Sequence, residues 1–440
     1  MISISSKEFA DRRTRLMEMM QPNSIVIIPS AHEQTRSRDT EYPFRQDSDF
    51  QYLSGFNEPD SVLALIPGRE HGEFVMFNRE KDLVKETWHG RRYGQEGVQT
   101  HFGVNDAFPI DDIDDILPGL MEGRDNIYYA LGANNDFDEK VMQWVKAFRK
   151  KVHQGALPIG EMIDVRHILH DMRLFKSAAE IKMMRYAASV SAKAHRRAMQ
   201  SVKSCQWEWQ IEAHFSHELA MGGCRFPAYN SIVASGDNAC ILHYTENNAK
   251  LANKQLLLID GAGEYQGYAA DITRTFPING KFTKPQKALY NLVLKAELAA
   301  IEQVYPGSDW SKPHDTAVQI LTEGLVALGI LKGKVPLLIK KEAYKKYYMH
   351  KTGHWLGLDV HDVGDYKVAN KPRILEAGMV LTVEPGLYIP ANDMSVAEEW
   401  RGIGIRIEDD VLVTKTGYEV LSHEAPKTIE DIEKLMKTQV

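Results

Sequence analysis

A weak internal repeat in the second half of the 440-residue chain constrains the fold more than any other feature. The run LLLIDGAGEY ends its apolar stretch at Asp260, and VLTVEPGLYI ends its own at Glu384; each continues into a glycine-containing turn and a tyrosine. Downstream, DITRTFPI carries Asp271 and IRIEDDVLV carries Glu408. Because the acids recur in one order, we predict two related α/β halves that each bring two carboxylates to a shared centre.

Histidines recur in the same way. ILHYT carries His243 upstream of the first pair of acids, and DVHDV carries His361 upstream of the second. A lone acid at a strand end is usually solvated or capping, and a lone histidine is more often structural than functional. The repeated contexts, and not any single residue, favour a functional site. If DVHDV is a strand, His361 lies on the face opposite Val360 and points at the centre.

Four acids near one centre need a source of positive charge. Residues two apart on a strand share a face, so Asp260, Asp271, Glu384 and Glu408 can converge from four strands. Like charges packed together raise one another's pKa or unfold the site unless they are compensated. We therefore predict that cations bind between the two halves.

The stretch MHKTGHWLGLDVHDVG supplies the histidine candidates for a metal site. His350 and His354 have the spacing of a helical zinc motif, but the glutamate of HExxH is absent, and Gly353 and Gly357 disfavour a helix. One histidine with four carboxylates suits Mn²⁺ or a similar divalent ion better than zinc. Four carboxylates would balance the charge of two such ions.

A change of pattern near residue 173 divides the chain. From Ser24, the short apolar runs SIVIIP, VLALIP and EFVMF alternate with polar segments such as DAFPIDDIDDILPGLM, which we interpret as helical. After the connection HQGALPIGEM, Ser177 and Glu180 form a capping-box pattern that opens a long amphipathic helix. We therefore predict an N-terminal α/β domain at 1–173 and a second domain at 174–440.

Composition and charge exclude several classes of protein. The net charge of −7 and the pI near 6.2 leave no basic footprint for nucleic acid. The sequence has no signal-like apolar segment at its start and no apolar run long enough for a membrane helix. Cys205, Cys224 and Cys240 are far apart without a CxxC, which argues against a disulfide framework or a thiolate metal site. We expect a cytoplasmic protein without nucleic-acid or membrane partners.

Several segments resemble one known family. LIDGAGEYQGYAADITRTFP, MHKTGHWLGLDVHDVG, VLTVEPGLYI and GIGIRIEDD resemble the M24 "pita-bread" metallopeptidases of the aminopeptidase P type. DTEYPFRQDSDFQYLSGFNEPDSVLAL resembles the N-terminal domain of that family, so the resemblance spans nearly the whole chain. It implies an α/β (α+β) fold in which a C-terminal pita-bread domain of two related halves follows a smaller N-terminal α/β domain.

The resemblance also implies roles for individual residues. It implies two divalent ions per chain, usually Mn²⁺, bridged by Asp271 and Glu408, and it implies that Arg406 supports the bridging carboxylates. Glu384 would also take a proton from the nucleophile. The five implied ligands are Asp260, Asp271, His354, Glu384 and Glu408. The histidines implied to bind substrate and to shuttle protons in catalysis are His243, His350 and His361.

The implied activity is that of a metal-dependent exopeptidase. Such an enzyme hydrolyses the bond between an N-terminal residue and a following proline by means of a hydroxide that bridges the metals, so peptides with proline second are the expected partners. A Xaa-Pro dipeptidase, which shares the five ligands, remains an alternative. A non-catalytic pita-bread binding module is a second alternative, although such relatives lose ligands and this chain keeps all five.

Two segments bear on the rim of the substrate site. ETWHGRRYGQ places Trp88 beside Arg91, Arg92 and Tyr93, residue types that are enriched at interfaces, although a tryptophan partly buried in its own domain would look the same. The resemblance favours a homo-oligomer, a dimer or tetramer, in which Trp88 approaches a neighbour's active site and binds substrate. MHKTGHWLG departs from the MHGLSHWLG that is common in bacterial members of the family, so we expect the rim of the substrate site to differ from theirs.

Overall fold

The chain folds into two compact units. A computed structural model describes residues 2–438; one unit spans Ile4–Arg173, and the other contains Leu174 and the residues that follow. We call them the N-terminal unit and the C-terminal unit. No helix among residues 2–438 combines the length and apolar character needed to cross a membrane.

The N-terminal unit is built around one mixed sheet of six strands. The strands of this unit are β1 (Ser24–Pro29), β2 (Thr35–Ser37), β3 (Thr40–Glu41), β4 (Val62–Leu65), β5 (Phe74–Asn78), β6 (Asp106–Pro109), β7 (Asn126–Tyr128) and β8 (Glu161–Ile163). The sheet order is β6-β5-β4-β1-β7-β8, and β2 pairs with β3 in a separate hairpin. β4 is antiparallel to β1 and β5, while the β1–β7, β5–β6 and β7–β8 pairs are parallel.

Helices complete this unit, and several of them bury apolar residues in its core. They are α1 (Ser6–Met19), α2 (Ser48–Ser54), α3 (Leu83–His89), α4 (Gly94–Phe102), α5 (Ile113–Met121), α6 (Asn135–Lys151) and α7 (Arg166–Leu174). In α6, Val141, Val145 and Phe148 recur at helical spacing and are buried in the core with strand residues such as Phe77. The α6 N-terminus is capped by Asn134.

The sequence located the strands of this unit better than one of its helices. SIVIIP, VLALIP and EFVMF correspond to β1, β4 and β5. The interpretation of DAFPIDDIDDILPGLM as helical is wrong for its first four residues, since Asp106–Pro109 forms β6 and the helix α5 begins only at Ile113. Pairing with β5 at the sheet edge outweighs the local acidic helix pattern.

The C-terminal unit contains the two repeated segments. Its strands are β9 (Phe226–Pro227), β10 (Ile232–Ser235), β11 (Leu256–Asp260), β12 (Gly263–Tyr265), β13 (Tyr268–Ala269), β14 (Thr273–Pro277), β15 (Lys367–Val368), β16 (Lys371–Pro372), β17 (Val380–Val383), β18 (Gly386–Ile389), β19 (Ile403–Arg406), β20 (Asp409–Val413) and β21 (Tyr418–Val420). Its helices are α8 (Ala178–Ser201), α9 (Glu208–Met221), α10 (Lys284–Ile301), α11 (Ser311–Ala327), α12 (Val335–Lys340) and α13 (Ile429–Leu435). The capping box of Ser177 and Glu180 opens α8 as predicted.

The two predicted halves are present and have equivalent strand pairing. In the first half β11 pairs antiparallel with β14, and the β12–β13 hairpin lies between them in sequence. In the second half β17 pairs antiparallel with β20, and the β18–β19 hairpin lies between them. The predicted two-part pita-bread architecture, preceded by an α/β unit, is therefore confirmed.

Hydrogen bonds join the two halves next to the repeated acids, along a boundary that we call the seam. The amide of Glu408 donates to the Thr273 carbonyl at 3.1 Å, and the amide of Asp271 donates to both carboxylate oxygens of Asp410 at 3.1 and 3.2 Å. The Thr275 hydroxyl donates to the Arg406 carbonyl and accepts from the Arg406 amide. Each half thus fixes the backbone of the other.

Arg274 anchors this seam from the side opposite the acids. Its guanidinium is fully buried and donates to the Glu408 carbonyl at 2.6 Å and to Asp409 Oδ1 at 2.7 Å. Lys427 Nζ donates to Asp409 Oδ2 at 2.6 Å and to Glu297 Oε1 at 2.7 Å, so Asp409 lies beside a second cation. These charge-assisted hydrogen bonds are buried away from solvent, and they hold β20, the strand that follows Glu408, in one position.

Arg274→Met should lower the free energy of unfolding of the C-terminal unit by about 3–5 kcal/mol, because Asp409 would stay buried with less compensation. Denaturant unfolding followed by circular dichroism measures this change. The matched control, Arg185→Met, breaks an ion pair with Glu419 whose side chains are 47% and 38% exposed. That loss should be below about 1 kcal/mol. Equal losses in the two variants would contradict the anchoring role.

Candidate functional site

The four repeated acids lie at strand ends on the seam between the halves. Asp260 is the last residue of β11, and Asp271 comes shortly before β14. Glu384 directly follows β17, and Glu408 directly precedes β20. Strand pairing places these ends side by side, so side chains that are far apart in sequence converge as predicted.

His354 joins the acids because its loop pairs with β17. The Thr382 amide donates to the His354 carbonyl at 2.9 Å, and the Glu384 amide donates to the Thr352 carbonyl at 2.8 Å. Gly353 makes this approach possible, since a Cβ there would lie 2.0 Å from the Thr382 carbonyl oxygen. Residues 349–355 are not helical, in agreement with the rejection of a helical zinc motif.

The ligand atoms of three residues form a compact cluster. Asp271, His354 and Glu408 each offer an atom within 4.8 Å of the others. Nδ1 of His354 donates to the Trp355 carbonyl at 2.9 Å, which leaves Nε2 facing Asp271 Oδ2 at 3.3 Å and Glu384 Oε1 at 3.8 Å. Asp260 and Glu384 line the same cavity.

The acids are held close enough to oppose one another's ionisation. Burial, reinforced by the charges of Asp271 and Asp260, raises the pKa of Glu384 to about 7. Burial and the same neighbours raise the pKa of Glu408 well above its ordinary value. For His354, burial lowers the pKa, but the hydrogen bond and charge of Asp271 outweigh it and raise the pKa to about 9. Full ionisation of these acids is therefore unfavourable unless a cation is bound.

This donor set fits a divalent cation. Carboxylate oxygens and one imidazole nitrogen are suitable ligands for divalent ions, and the His354 tautomer leaves Nε2 free to coordinate. The excess of buried negative charge is what a cation would relieve. The C-terminal unit thus has the chemistry of a metal site at the predicted position.

Arg406 supports two of the acids, one directly and one through a hydroxyl. Its Nη2 donates to Asp260 Oδ2 at 2.5 Å, and its Nε donates to the Thr273 hydroxyl at 3.1 Å. That hydroxyl in turn donates to Glu408 Oε2 at 2.5 Å. Arg406 therefore contacts Asp260 directly and reaches Glu408 only through Thr273.

His350 is tied to the same network. Its Nε2 accepts from the Tyr388 hydroxyl at 2.8 Å, and that hydroxyl accepts from Arg406 Nη1 at 3.0 Å. The other ring nitrogen, Nδ1, donates to the Lys351 carbonyl at 2.7 Å. Burial, together with the charge of Arg406, lowers the pKa of His350 to about 4. His350 is thus a neutral ring with both nitrogens engaged.

His361 and His243 line the cavity from irregular segments. The ring of His361 lies 4.4 Å from that of His354, centroid to centroid, and His361 is exposed. The strand reasoning used to place it is wrong, because residues 358–363 form no strand and Val360 lines the same cavity as His361. Among the described residues, no hydrogen bond engages the His361 ring nitrogens. His243 is also exposed to the cavity.

The site cavity has a volume of about 440 Å³, within the range of small-ligand sites. Its walls come from the C-terminal unit, and Ile232, Leu242 and Val360 provide an apolar side. The N-terminal unit has a larger cavity of about 940 Å³, but none of the predicted site residues lines it. Cavity size alone would therefore have pointed away from the chemistry. Trp88 lies on α3 of the N-terminal unit and is 79% exposed.

The sequence reasoning missed several residues of the site. Tyr229 donates its hydroxyl to Asp260 Oδ1 at 2.7 Å and lies 2.5 Å from Asp271 Oδ1, yet RFPAYNSIV carries no signal for this role. Tyr388 could have been found, since it is the tyrosine of the repeated VLTVEPGLYI segment. Thr273 shares a strand face with Asp271, which is a weaker signal.

Comparisons with known proteins agree with this geometry. The profile of Metallopeptidase family M24 matches residues 182–415, and that of Aminopeptidase P, N-terminal domain, matches residues 9–128. The Xaa-Pro aminopeptidase of Escherichia coli (strain K12) is 48% identical over 437 residues, 99% of each chain.

Solved structures of high similarity cover the whole architecture. The aminopeptidase PepP of Pseudomonas aeruginosa is 55% identical, with a TM-score of 0.97 over 99% of both chains. The Zn-substituted E. coli aminopeptidase P in complex with product is 47% identical, with a TM-score of 0.95 over 99% of both chains. With its acid cluster, its paired halves and these matches, the chain belongs to metallopeptidase family M24 and carries an N-terminal domain of the aminopeptidase P type.

Proposed function

We propose that this M24 metallopeptidase is an exopeptidase that hydrolyses the bond between an N-terminal residue and a following proline. One observation carries the proposal: a single cavity combines a cluster of buried acids, four histidines and an apolar wall. The 48% identity to the Xaa-Pro aminopeptidase of E. coli, over 99% of both chains, supports the same substrate class.

Two divalent ions per chain, with Mn²⁺ as the native metal, are part of the proposal. A carboxylate-rich donor set suits Mn²⁺, and four carboxylates match the charge of two divalent ions. Bound there, the ions would activate water at neutral pH and polarise the scissile carbonyl. The residues proposed to hold them are Asp260, Asp271, His354, Glu384 and Glu408, with Asp271 and Glu408 in the bridging positions.

Residues around the acids have separate proposed tasks. Glu384 lies 3.7 Å from His350 Nδ1 and 3.8 Å from His354 Nε2, so its carboxylate faces the centre and can accept the proton of the attacking water. Arg406 holds Asp260, and through Tyr388 it orients His350. His350 then serves as a fixed wall of the substrate site, because both of its nitrogens are engaged.

His361 is the histidine best placed to move a proton. Its ring nitrogens are not engaged by other described residues, and it lies beside His354. Cleavage of an imide bond requires a proton on the leaving proline nitrogen, and His361 can donate it or stabilise the oxyanion. His243 lines the same cavity as His361.

Selectivity for proline follows from the cavity walls. An imide bond has no N–H, so an enzyme must recognise the ring by shape. Ile232, Leu242 and Val360 offer an apolar surface for such a ring. With the acids neutralised by two ions, one of these ions would bind the free amino group of the residue before the proline. Both features favour short peptides with a free N-terminus and proline second.

The proposal extends to assembly and location. On α3, Leu83, Val84 and Trp88 are 75%, 72% and 79% exposed, an apolar surface that favours contact with another copy of the chain. We therefore propose a homo-oligomer, a dimer or tetramer, in which Trp88 approaches a neighbour's substrate site. A cytoplasmic location stays a prediction from the sequence.

Removing one bridging carboxylate tests the metal assignment. Wild-type protein dialysed against Mn²⁺ should retain two ions per chain by elemental analysis, whereas Glu408→Gln should retain one or none and lose activity, because a neutral amide cannot balance the ions. Glu180→Gln, which alters a buried glutamate of the α8 capping box, is the control and should retain both ions. Full activity in protein that contains no metal would refute the assignment.

Substrate specificity tests the proposed reaction. Xaa-Pro-Xaa tripeptides should be hydrolysed roughly 10–200-fold faster, in kcat/KM, than Xaa-Ala-Xaa tripeptides, because alanine lacks the ring methylenes that fill the pocket. Acetylation of the amino group should abolish cleavage. Product analysis by chromatography measures all three rates. A preference for Xaa-Pro dipeptides over the tripeptides would instead assign the chain as a dipeptidase, and equal rates with proline and alanine would refute proline specificity.

His361→Ala separates catalysis from metal binding. We expect kcat to fall by about 10²–10⁴ with a smaller change in KM, because a proton donor is lost while the ligands remain. Steady-state kinetics and elemental analysis on the same sample measure both properties. His423→Ala, on an exposed turn of the same unit, should leave kcat unchanged. If metal content falls in proportion to activity, His361 is a ligand and not a proton donor.

A further inference from the structure

A buried carboxylate outside the metal cavity organises one of its walls. Glu208, the first residue of α9, has no exposed surface. Its Oε1 accepts from the amide and hydroxyl of Ser235, both at 2.7 Å, and from Asn238 Nδ2 at 3.2 Å. Its Oε2 accepts from the Tyr244 hydroxyl and from the Ala249 amide, both at 2.8 Å.

All five donors lie in residues 235–249, and none belongs to α9 itself. Glu208 is therefore not a helix cap. Its backbone amide donates to the Ala249 carbonyl at 3.1 Å, so main chain and side chain both hold that residue. The carboxylate is a junction between α9 and the segment that carries His243.

That segment has little structure of its own. Residues 243–249 form no helix and no strand, and His243 is exposed at the cavity wall. Two buried side chains attach it to the fold: Tyr244, 6% exposed, and Asn247, 3% exposed. Asn247 bonds to the backbone of Ser231 and Val233, and Tyr244 bonds to Glu208.

The position of His243 depends most directly on the Tyr244 attachment, because the two residues are adjacent. The Tyr244 ring packs in a small buried cluster that includes Ile232 and Leu258, and its hydroxyl donates to the buried Glu208 carboxylate. The neighbouring His243 is then directed to the cavity. Loss of this bond would free a short irregular segment at the point where it carries the histidine.

We propose that Glu208 is a positioning residue for the peptidase reaction, acting through Tyr244 to hold His243 against the acid cluster. This inference rests on the proposed role of His243 in substrate binding and proton movement. Glu208 itself contacts neither the cavity nor the metal ligands. It follows that its loss should impair catalysis without removing metal, and only when His243 is present.

The test is a double-mutant cycle in the full-length, Mn²⁺-loaded protein. Tyr244→Phe deletes the hydroxyl, and Glu208→Gln places an amide NH₂ against donors that need an acceptor. We expect about a tenfold lower kcat/KM for Tyr244→Phe and about a hundredfold lower value for Glu208→Gln, since small misplacements of a substrate-positioning group have effects of this size. In the His243→Ala background, neither change should lower kcat/KM by more than about twofold.

The controls distinguish positioning from a general loss of stability. Tyr129→Phe removes another buried tyrosine hydroxyl that bonds to a carboxylate, Asp138 at 2.7 Å, in the N-terminal unit. It should reduce thermal stability to a similar extent and leave kcat/KM unchanged. Metal content should match the wild type in every variant. If Glu208→Gln does not fold, Tyr244→Phe carries the test alone.

The possible failures are separable. If the effects of Tyr244→Phe and His243→Ala simply multiply, Glu208 and Tyr244 contribute stability only, and the inference is overturned while the proposed function stands. If His243→Ala alone retains full activity on Xaa-Pro-Xaa peptides, the role proposed for His243 fails, and this inference fails with it. Loss of metal in Tyr244→Phe would also overturn positioning through His243.

Discussion

Mutual repulsion among four acids in one cavity is the constraint on which the C-terminal unit depends. Asp271 and Glu408 are almost fully buried, and burial with neighbouring charge raises the pKa of each. Arg406 is the permanent cation that faces these acids at short range, and His354 adds no charge once its Nε2 coordinates a metal. One guanidinium charge is insufficient for four carboxylates, and a bound divalent cation would relieve the remaining repulsion. The electrostatic cost of this fold and its suitability for a metal thus have the same origin.

The scaffold around this centre resists the repulsion by cross-linking the two halves. On one side, Arg406 and Thr273 connect Asp260 with Glu408. On the opposite side of the strand, Arg274 and Asp409 form a dry ion pair that fixes the backbone at Glu408. Because neighbouring strand residues face opposite ways, Glu408 faces the cavity while the next residue, Asp409, faces the buried Arg274. The irregular segments that carry His354 and His243 depend instead on Gly353 and Glu208.

The candidate site could be identified largely from sequence because its residues stand in repeated, unusual contexts. Asp260 and Glu384 each end an apolar run, and a buried acid in that setting is costly without a partner. Tyr229, Glu208 and Arg274 have no such signal. Their importance comes from which groups they meet, and those groups lie 27 to 135 residues away in the chain. The strand argument for His361 failed because residues 358–363 form no strand, so alternation does not decide where their side chains lie.

Apolar periodicity and acid placement are local properties, so sequence patterns were sufficient to predict the two-unit organisation, the repeat of the C-terminal halves and the kinds of ligand available. These patterns did not determine that Asp106–Pro109 would be a strand, because that depends on pairing with β5. Three further features are visible only in the folded chain: Arg406 contacts Asp260 directly, both nitrogens of His350 are engaged, and Glu208 holds the segment of His243. These are outcomes of hydrogen-bond geometry between distant segments, and geometry is fixed only when the segments pack.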